Sequence, residues 1–265
     1  MDERILQRAL LNIPMGGLRY FEQTGSTNDA ALAWAAAGAP DLALVIAGQQ
    51  TAGRGRGNHS WFTAPGAALA FSLVLRPLPG EAQSIPLFSA LGGLAVCEVL
   101  AAQGLHPEIK WPNDVLINRK KICGVLAESV WTGEKVDSIV LGLGLNIKPE
   151  ALPPPEQLTF PATCLEAEFP PPRHSIEALE QGMLLQQIIQ AVRYWRAMLP
   201  TNIFLHTWER RLAFRGEQVD VWVDGQPVRK GQVDGLEPDG SLRLISPQGQ
   251  AFTVQFGEVH LRPVV

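Results

Sequence analysis

Apolar runs alternate with amphipathic stretches along the first half of the chain. Asp41 to Ala47 is a continuous apolar run and Leu69 to Leu75 is a second one, as expected of strands covered on both faces. Ser84 to Gly104 is apolar at helical spacing and ends at a glycine, a usual helix stop. Three further strands are predicted at Val115 to Ile117, Ile122 to Glu128 and Ser138 to Ile147. Strands and helices in this order predict an α/β or α+β sheet domain.

The second half of the chain has a different pattern, with a proline-rich segment, two helices and a series of short strands. A proline-rich segment over residues 149–172 predicts a surface excursion, because proline withholds backbone donors. Helices are predicted at Ser175 to Leu199 and Thr201 to Leu212. After Gly216, short strands alternate with the turn pairs Asp224-Gly225, Asp234-Gly235, Asp239-Gly240 and Gln248-Gly249. We therefore predict a small antiparallel barrel and two domains, over residues 1–212 and 213–265.

Composition narrows the class of protein. The 265 residues are 46% hydrophobic and 18% charged, with a net charge of −4, which fits a folded protein and gives no support for wholesale nucleic-acid or membrane binding. The N-terminal residues mix charges without an apolar signal core, and Ile85 to Ala102 is interrupted as a core helix would be. Cys97, Cys123 and Cys164 lack metal-ligand spacing and predict reduced thiols. We expect a cytoplasmic protein.

Two polar segments have compositions that suit ligand binding. One precedes a predicted helix and the other follows a predicted strand. Gly25-Ser26-Thr27-Asn28 precedes an alanine-rich helix, where such residues cap the first N–H groups and present polar groups to a ligand. Gln50 to Trp61 follows a buried strand and holds Arg54 and Arg56 among glycines, which suits binding of phosphate or carboxylate. A solvated basic loop is the competing interpretation. The loop is not a P-loop, because no Lys-Ser/Thr pair follows.

Three more segments carry candidate chemistry. Lys110-Trp111-Pro112-Asn113-Asp114 ends one strand and starts the next, and Lys121 lies at the mouth of an apolar strand. Gly124 on that strand indicates that some group approaches it closely. Gly142-Leu143-Gly144-Leu145-Asn146 continues another strand with glycines on one face, but no helix follows as a dinucleotide fingerprint requires.

In ordered combination these segments closely resemble the biotin protein ligase family, in its monofunctional type without a DNA-binding domain. The resemblance covers roughly residues 20–147 and rests on five motifs: Gly25-Ser26-Thr27-Asn28, Gln50-x-Ala52-Gly53-Arg54-Gly55-Arg56 with Trp61, Lys110-Trp111-Pro112-Asn113-Asp114, Lys121-x-x-Gly124-x-Leu126-x-Glu128 and Gly142-x-Gly144-x-Asn146. It implies a catalytic domain like that of class II aminoacyl-tRNA synthetases, with a mixed sheet and surrounding helices. The C-terminal region is similar to the family's SH3-like module.

The resemblance also implies the reaction. Biotin and MgATP would give biotinyl-5′-AMP and pyrophosphate, and biotin would then pass to a lysine of a biotin carboxyl carrier protein domain. The implied substrates and cofactors are biotin, ATP and Mg²⁺. No nucleic acid or membrane partner is expected, and a homodimer is compatible with the resemblance.

Residue roles follow from the same match. The biotin site would be formed by Ser26, Thr27, Asn28, Gln50, Arg54, Gly55, Arg56 and Lys121. The ATP site would be formed by Arg54, Arg56, Lys110, Asn113, Lys121 and Asn146. Catalysis is assigned to Arg54, Lys121 and Asp114, of which Asp114 would orient or deprotonate the acceptor lysine; the match assigns no metal ligands.

The chain departs from the family pattern at Gly57-Asn58-His59-Ser60, where the family often has further basic residues. The reduced charge bears on how tightly the adenylate is retained. The segment before Tyr20 is too short for a winged helix, so a repressor is not expected. Two other classes remain as alternatives: a lipoate or octanoate ligase on a similar fold, and a nucleic-acid-binding protein that uses Arg54, Arg56 and the barrel.

Overall fold

The protein contains two β-sheets with helices packed around the larger one. The structure, a computed structural model, describes residues 2–57, 59–158, 160–169, 176–199, 201–223, 226–256 and 259–263. Its helices are α1 (Glu3–Leu10), α2 (Thr27–Ala36), α3 (Phe88–Ala102), α4 (Leu165–Glu168), α5 (Ala178–Met198) and α6 (Asn202–Arg210). Its strands are β1 (Gly17–Phe21), β2 (Ala43–Ala47), β3 (Ala68–Leu75), β4 (Glu108–Lys110), β5 (Asp114–Ile117), β6 (Lys120–Thr132), β7 (Lys135–Asn146), β8 (Gln218–Val223), β9 (Gln226–Leu236), β10 (Leu242–Ile245), β11 (Ala251–Val254) and β12 (Val259–Pro263).

The larger sheet is mixed and has seven strands in the order β1-β2-β3-β7-β6-β5-β4. Its β1 and β2 pair in parallel, and the other neighbours pair antiparallel. Every residue of β2 and β3 is buried, which confirms the prediction of strands covered on both faces. The predicted hairpin is also present, with Asn118 and Arg119 at positive φ in the turn between β5 and β6. The mixed α/β class is therefore confirmed.

The two faces of this sheet are covered by different helices. Side chains alternate between faces along a strand, so neighbouring residues of β2 and β3 enter different clusters. Leu44 and Phe71 belong to the large core that includes α3 and α5. Val45 and Val74 instead pack with the alanines of α2. Because half of the residues of α2 are alanines, its backbone can lie close to this face.

Glu81–Ala102 is long and apolar enough to cross a membrane by length and composition alone. It is a 3₁₀ turn, Glu81–Leu87, that leads into α3, and α3 packs against α5 and the sheet. Eleven residues of α3, from Phe88 to Leu100, are buried. This burial confirms the predicted core helix.

The smaller sheet has five strands in the order β11-β10-β9-β8-β12, all antiparallel. The prediction of a turn at Asp234-Gly235 is wrong, because both residues lie inside β9, where Gly235 pairs with Arg243 of β10. A register shift beside Arg243 accommodates them, and the chain reverses instead around Asp239-Gly240. The predicted turn pair Asp224-Gly225 lies outside the described residues. Strand β12 was not predicted from the sequence.

Aromatic side chains join the two sheets. Trp111 is buried and donates its Nε1 hydrogen to the carbonyl of Gly240 over 3.0 Å. Its ring lies 5.4 Å from that of Phe256, which in turn stacks on Trp208 of α6. The smaller sheet is thereby held against the residues that connect β4 to β5.

A buried arginine connects the helices to one edge of the larger sheet. Arg196 of α5 donates from Nε and Nη2 to the two carboxylate oxygens of Glu81, each over 2.8 Å. It also donates to Asp41 over 2.8 Å and to the carbonyl of Arg76. Arg196 and Glu81 are both almost fully buried, so each charge depends on the other.

We expect Arg196→Met to lower the free energy of unfolding by about 3–5 kcal/mol, because the carboxylate of Glu81 would be left buried without its partner. Urea denaturation monitored by circular dichroism measures this change. Arg243→Met is the control, since Arg243 pairs with Asp234 at the surface and its loss should cost at most about 1 kcal/mol. Equal losses for the two variants would contradict the structural role of Arg196.

Candidate active site

Three glycines leave a patch on one face of the larger sheet without side chains. Gly124 of β6 is paired with Gly144 of β7, and Ser72 of β3 is paired with Gly142. All four residues lie on the face that carries α2. A Cβ atom at Gly142 or Gly144 would lie closer than 3.0 Å to Asn28 or Trp61 respectively. The glycines therefore form a floor on which a loop and a helix end can rest directly.

Trp61 lies across this floor. Its ring covers Gly144 and Gly124, and its position answers the question of which group approaches that strand. The loop that carries Trp61 closes on itself: Gly55 N donates to the His59 carbonyl over 2.7 Å, and Trp61 N donates to the Gly53 carbonyl over 2.8 Å. Residues 50–61 thus form a compact flap over the sheet; Asn58 lies outside the described residues.

The N-terminus of α2 rests on the same floor. Ser26, in the segment predicted to cap this helix, is its N-cap and accepts from Asp29 N over 3.5 Å. Thr27 donates its backbone N–H to Gln50 Oε1 over 2.7 Å, and its hydroxyl lies 3.0 Å from the same atom. Ser26, Thr27 and Asn28 are each at most 4% exposed. Neutral donors and acceptors are therefore gathered at this end of the pocket.

Arg54 is held by two carboxylates. Its guanidinium donates to both oxygens of Glu128, over 2.9 and 2.6 Å, and lies 2.8 Å from Asp29. Burial by itself would lower the pKa of Arg54, but the bond to Glu128 and the charges of Glu128 and Asp29 outweigh it and raise the pKa. A substrate anion would meet an arginine whose charge is already matched.

A second group of charges surrounds Asp114 at the start of β5. Its carboxylate lies 2.6 Å from Lys121 Nζ and 3.6 Å from Lys110 Nζ. Burial by itself would raise the pKa of Asp114, but Lys121 and Lys110 outweigh it, so the pKa lies below its ordinary value. Burial lowers the pKa of Lys110, against the opposing effect of Asp114. Asp114 is therefore a carboxylate that holds two lysines beside the glycine floor.

Arg56 adds a third cation to this group. It donates to Asn113 Oδ1 over 3.3 Å, and Asn113 Nδ2 donates to the carbonyl of Val125 over 2.7 Å. The amide of Asn113 is thus oriented by β6 and offers its oxygen to Arg56. The positive charge of Arg56 adds to those of the lysines around Asp114 and also lowers the pKa of Asp114.

The proline-rich segment forms a wall of the pocket, a role that the sequence did not predict, while residues 154–157 are exposed as a surface excursion would be. Lys121 N donates to the Pro161 carbonyl over 2.7 Å, and Thr163 N donates to the Lys121 carbonyl over 2.9 Å. Proline lacks a donor but keeps its acceptor, which is why the segment can pair beside β6. Phe160 lies under Lys110 Nζ at 4.5 Å, and Asn146 Nδ2 donates to the Thr163 carbonyl over 3.0 Å.

These elements enclose one cavity of about 540 Å³, within the range of small-molecule sites. All twelve residues assigned from the resemblance line it: Ser26, Thr27, Asn28, Gln50, Arg54, Gly55, Arg56, Lys110, Asn113, Asp114, Lys121 and Asn146. Sequence reasoning missed Phe160 and three residues of the smaller sheet, Trp222, Leu261 and Arg262. Arg262 lies over the Trp222 ring at 4.2 Å. No local motif marks these four residues.

Comparison with known proteins identifies the family. Residues 20–146 match the model of the biotin/lipoate A/B protein ligase family. The biotin–[acetyl-CoA-carboxylase] ligase of Mycobacterium tuberculosis is 32% identical over 272 residues, which covers 99% of this chain and 96% of that protein. The chain belongs to the biotin protein ligase family. The resemblance found in the sequence is therefore confirmed.

Two further comparisons qualify this assignment. The bifunctional ligase/repressor of Bacillus spizizenii is 36% identical over 174 residues, and the chain spans about half of its length (51%). The solved structure of the Aquifex aeolicus biotin protein ligase in complex with biotin and ATP has a TM-score of 0.74 and 25% identity, with 94% of this chain and 99% of that chain covered. The fold likeness thus extends through both sheets.

Among the described residues, none of the acidic side chains form a site that would bind a magnesium ion. No group of three or more His, Cys, Asp or Glu side chains that could hold a metal occurs in the described part of the chain. Asp114, which lines the cavity, and Glu128, which binds Arg54, are each matched by cations. These residues do not fit a protein-bound ion, and we assign no ligand to Mg²⁺, which commonly arrives with substrate phosphates.

We expect Gly144→Ala to lift Trp61 off the sheet, because the added Cβ would occupy the position of the indole ring. Hydrogen exchange measured by mass spectrometry should then rise in the peptide that spans residues 50–63. Gly93→Ala in α3 is the control: its Cβ would make an ordinary contact with Ile109 at 3.4 Å, and the exchange of this peptide should not change. Unchanged exchange in Gly144→Ala would show that the glycine is not what seats Trp61.

Proposed function

We propose that this protein activates biotin with ATP to biotinyl-5′-AMP and transfers the biotin to a lysine of a biotin carboxyl carrier protein domain. One observation carries the proposal. A single cavity joins a neutral hydrogen-bonding end, at Ser26, Thr27, Asn28 and Gln50, to a cationic end around Asp114. Biotin has the same polarity, with a neutral ureido ring at one end and a carboxylate at the other. The names of the relatives support this assignment.

The first step joins two anions. The biotin carboxylate oxygen attacks the α-phosphorus of ATP, a new C–O–P bond forms, and pyrophosphate leaves. Negative charge on the phosphoryl oxygens must be stabilised by fixed donors. Lys121, Lys110 and Arg56 supply these charges at the cationic end of the cavity. We propose that Arg54, already bound by Glu128 and Asp29, acts chiefly through its backbone position in the flap.

The surroundings of Asp114 argue against one of its two predicted roles, which is deprotonation of the acceptor lysine. A carboxylate with a lowered pKa between two lysines is a weak proton acceptor. We propose that it orients Lys121 and Lys110 rather than deprotonating the acceptor lysine. The flap over residues 50–61 would shield the adenylate from water until the carrier lysine attacks and AMP leaves. Mg²⁺ would enter with the nucleotide and help to neutralise its phosphates.

The finer architecture belongs to the same proposal. A catalytic domain like that of class II aminoacyl-tRNA synthetases, over residues 1–212, would precede an SH3-like domain over residues 213–265. Arg262 of the smaller sheet lines the cavity, and its positive charge contributes to lowering the pKa of Lys110. This proximity favours a role for Arg262 near the nucleotide phosphates. Buried Cys97, Cys123 and Cys164 agree with a cytoplasmic location. The homodimer is tested by sedimentation.

The experiment that tests the function uses labelled biotin, ATP and a biotin carboxyl carrier domain. We expect pyrophosphate release that requires biotin and occurs without carrier, followed by covalent label on the carrier once it is added. Octanoate and lipoate replace biotin in parallel reactions. Transfer of either acid with no transfer of biotin would overturn the proposal. Salt-dependent binding of RNA or DNA without ATP turnover would instead favour the nucleic-acid alternative.

Lys121 provides the sharpest mutational test. We expect Lys121→Ala to slow adenylate formation by about 10²–10³, the usual effect of losing one donor to developing charge. Lys121→Arg should rescue only part of the rate, because a guanidinium has a different reach. The control is Lys120→Ala, which alters the exposed neighbour on the same strand and should leave the rate unchanged. Normal adenylation by Lys121→Ala would remove this residue from the site.

A further inference from the structure

A serine stands alone in an otherwise apolar strand beneath the helix that carries Asn28. Ser72 is the only polar residue of β3 (Ala68–Leu75), and it is fully buried. Its Oγ lies 2.6 Å from Asn28 Oδ1 and 2.8 Å from Thr27 Oγ1. A buried hydroxyl is tolerated because it is bonded. Here both partners belong to the N-terminus of α2, so the serine connects the sheet to the site.

A carboxylate holds the other side of the same amide. Glu128 Oε2 accepts from Asn28 Nδ2 over 2.7 Å, while Glu128 also receives both hydrogen bonds of the Arg54 guanidinium. Asn28 Nδ2 also lies 3.4 Å from the Leu126 carbonyl. The nitrogen of the Asn28 amide is thus directed at two acceptors on β6, and its oxygen at a donor on β3.

The direction of these bonds follows from the chemistry of the groups. An ionised carboxylate can only accept, so the atom of Asn28 that faces Glu128 must be the NH₂ group. The amide oxygen must then face Ser72, whose one hydroxyl hydrogen is donated to it. The Thr27 hydroxyl then donates its hydrogen to Ser72 Oγ or to Gln50 Oε1. The oxygen of the Gln50 amide must face Thr27, because it accepts the Thr27 backbone N–H. If the Asn28 amide were flipped, its oxygen would face two other acceptors, the Glu128 carboxylate and the Leu126 carbonyl.

We infer that Ser72 and Glu128 are positioning residues that fix the orientation of the Asn28 amide and seat Ser26, Thr27 and Asn28 for substrate. Neither residue is among those that the family resemblance assigns to the biotin site, the ATP site or catalysis. The inference rests on the proposed function, because biotin is the substrate whose donors and acceptors this arrangement would recognise. Ser72 and Glu128 act through Asn28 and affect biotin affinity rather than the chemistry of adenylation.

The main test changes the charge on each side of the contact between Asn28 and Glu128. Asn28→Asp places two carboxylates in contact and should weaken biotin binding severely. Adding Glu128→Gln should restore part of the affinity, because it removes the repulsion between the two carboxylates while Ser72 still donates to the other oxygen of Asp at position 28. Isothermal titration calorimetry with biotin measures all four proteins of this cycle. A double variant that binds no more tightly than Asn28→Asp would overturn the inference.

A single substitution with a matched control tests Ser72. We expect Ser72→Ala to raise the biotin Kd about tenfold, as for a lost hydrogen bond that leaves an acceptor unsatisfied. In pyrophosphate exchange the KM for biotin should rise while kcat changes less than about twofold, since the reacting atoms lie elsewhere. The control is Ser138→Ala in β7, a second fully buried serine whose Oγ has no partner within the described residues. It should bind biotin as the unchanged protein does.

The outcomes separate the inference from the proposed function. If the unchanged protein does not bind biotin, the proposed function fails and the inference fails with it. If the unchanged protein binds biotin and Ser72→Ala binds it equally well, only the inference fails. A kcat that falls with an unchanged KM would also overturn it, because that result would place Ser72 in the chemistry. Thermal unfolding of each variant excludes loss of folded protein as the cause of weak binding.

Discussion

The structure depends on a patch of sheet that has no side chains. Gly124, Gly142 and Gly144 lie next to one another across β6 and β7, so Trp61 and Asn28 can rest on the strand backbones. Any larger residue would push the flap and the start of α2 away from the sheet by the width of a methyl group or more. The cavity, its lining amides and its cations are all positioned from this contact, since the elements that carry them meet here.

The two ends of the cavity differ in net charge, because their cations have different numbers of carboxylate partners. Arg54 faces two carboxylates, whereas Lys110 and Lys121 share Asp114 with Arg56 close by. The neutral hydrogen-bonding end therefore remains close to electroneutral, and the excess of positive charge lies at the other end. This gradient would align an elongated substrate that has a neutral polar head and an anionic tail. Burial strengthens the effect, because fewer waters screen the lysines.

Remote parts of the chain complete the site. The proline-rich segment pairs beside β6 through carbonyl groups, and Phe160 supports Lys110 from below. The smaller sheet is docked through Trp111, Phe256 and Trp208, and this docking brings Arg262 to the cavity. The buried Trp111 therefore does more than fill the core: it connects the strand turn that supplies Asn113 and Asp114 to the sheet that supplies Arg262.

The sequence by itself determined the apolar strands, the core helix, the hairpin and the five motifs, because these depend on local periodicity, turn chemistry and short-range spacing. It could not reveal that Ser72 bonds to Asn28, since a serine in an apolar run looks the same whether or not a partner lies above it. It misplaced the turn at Asp234-Gly235, where a register shift with β10 keeps both residues in a strand. Only the tertiary structure decided that a proline-rich segment and a second sheet would wall the cavity, because their contacts join residues far apart in the chain.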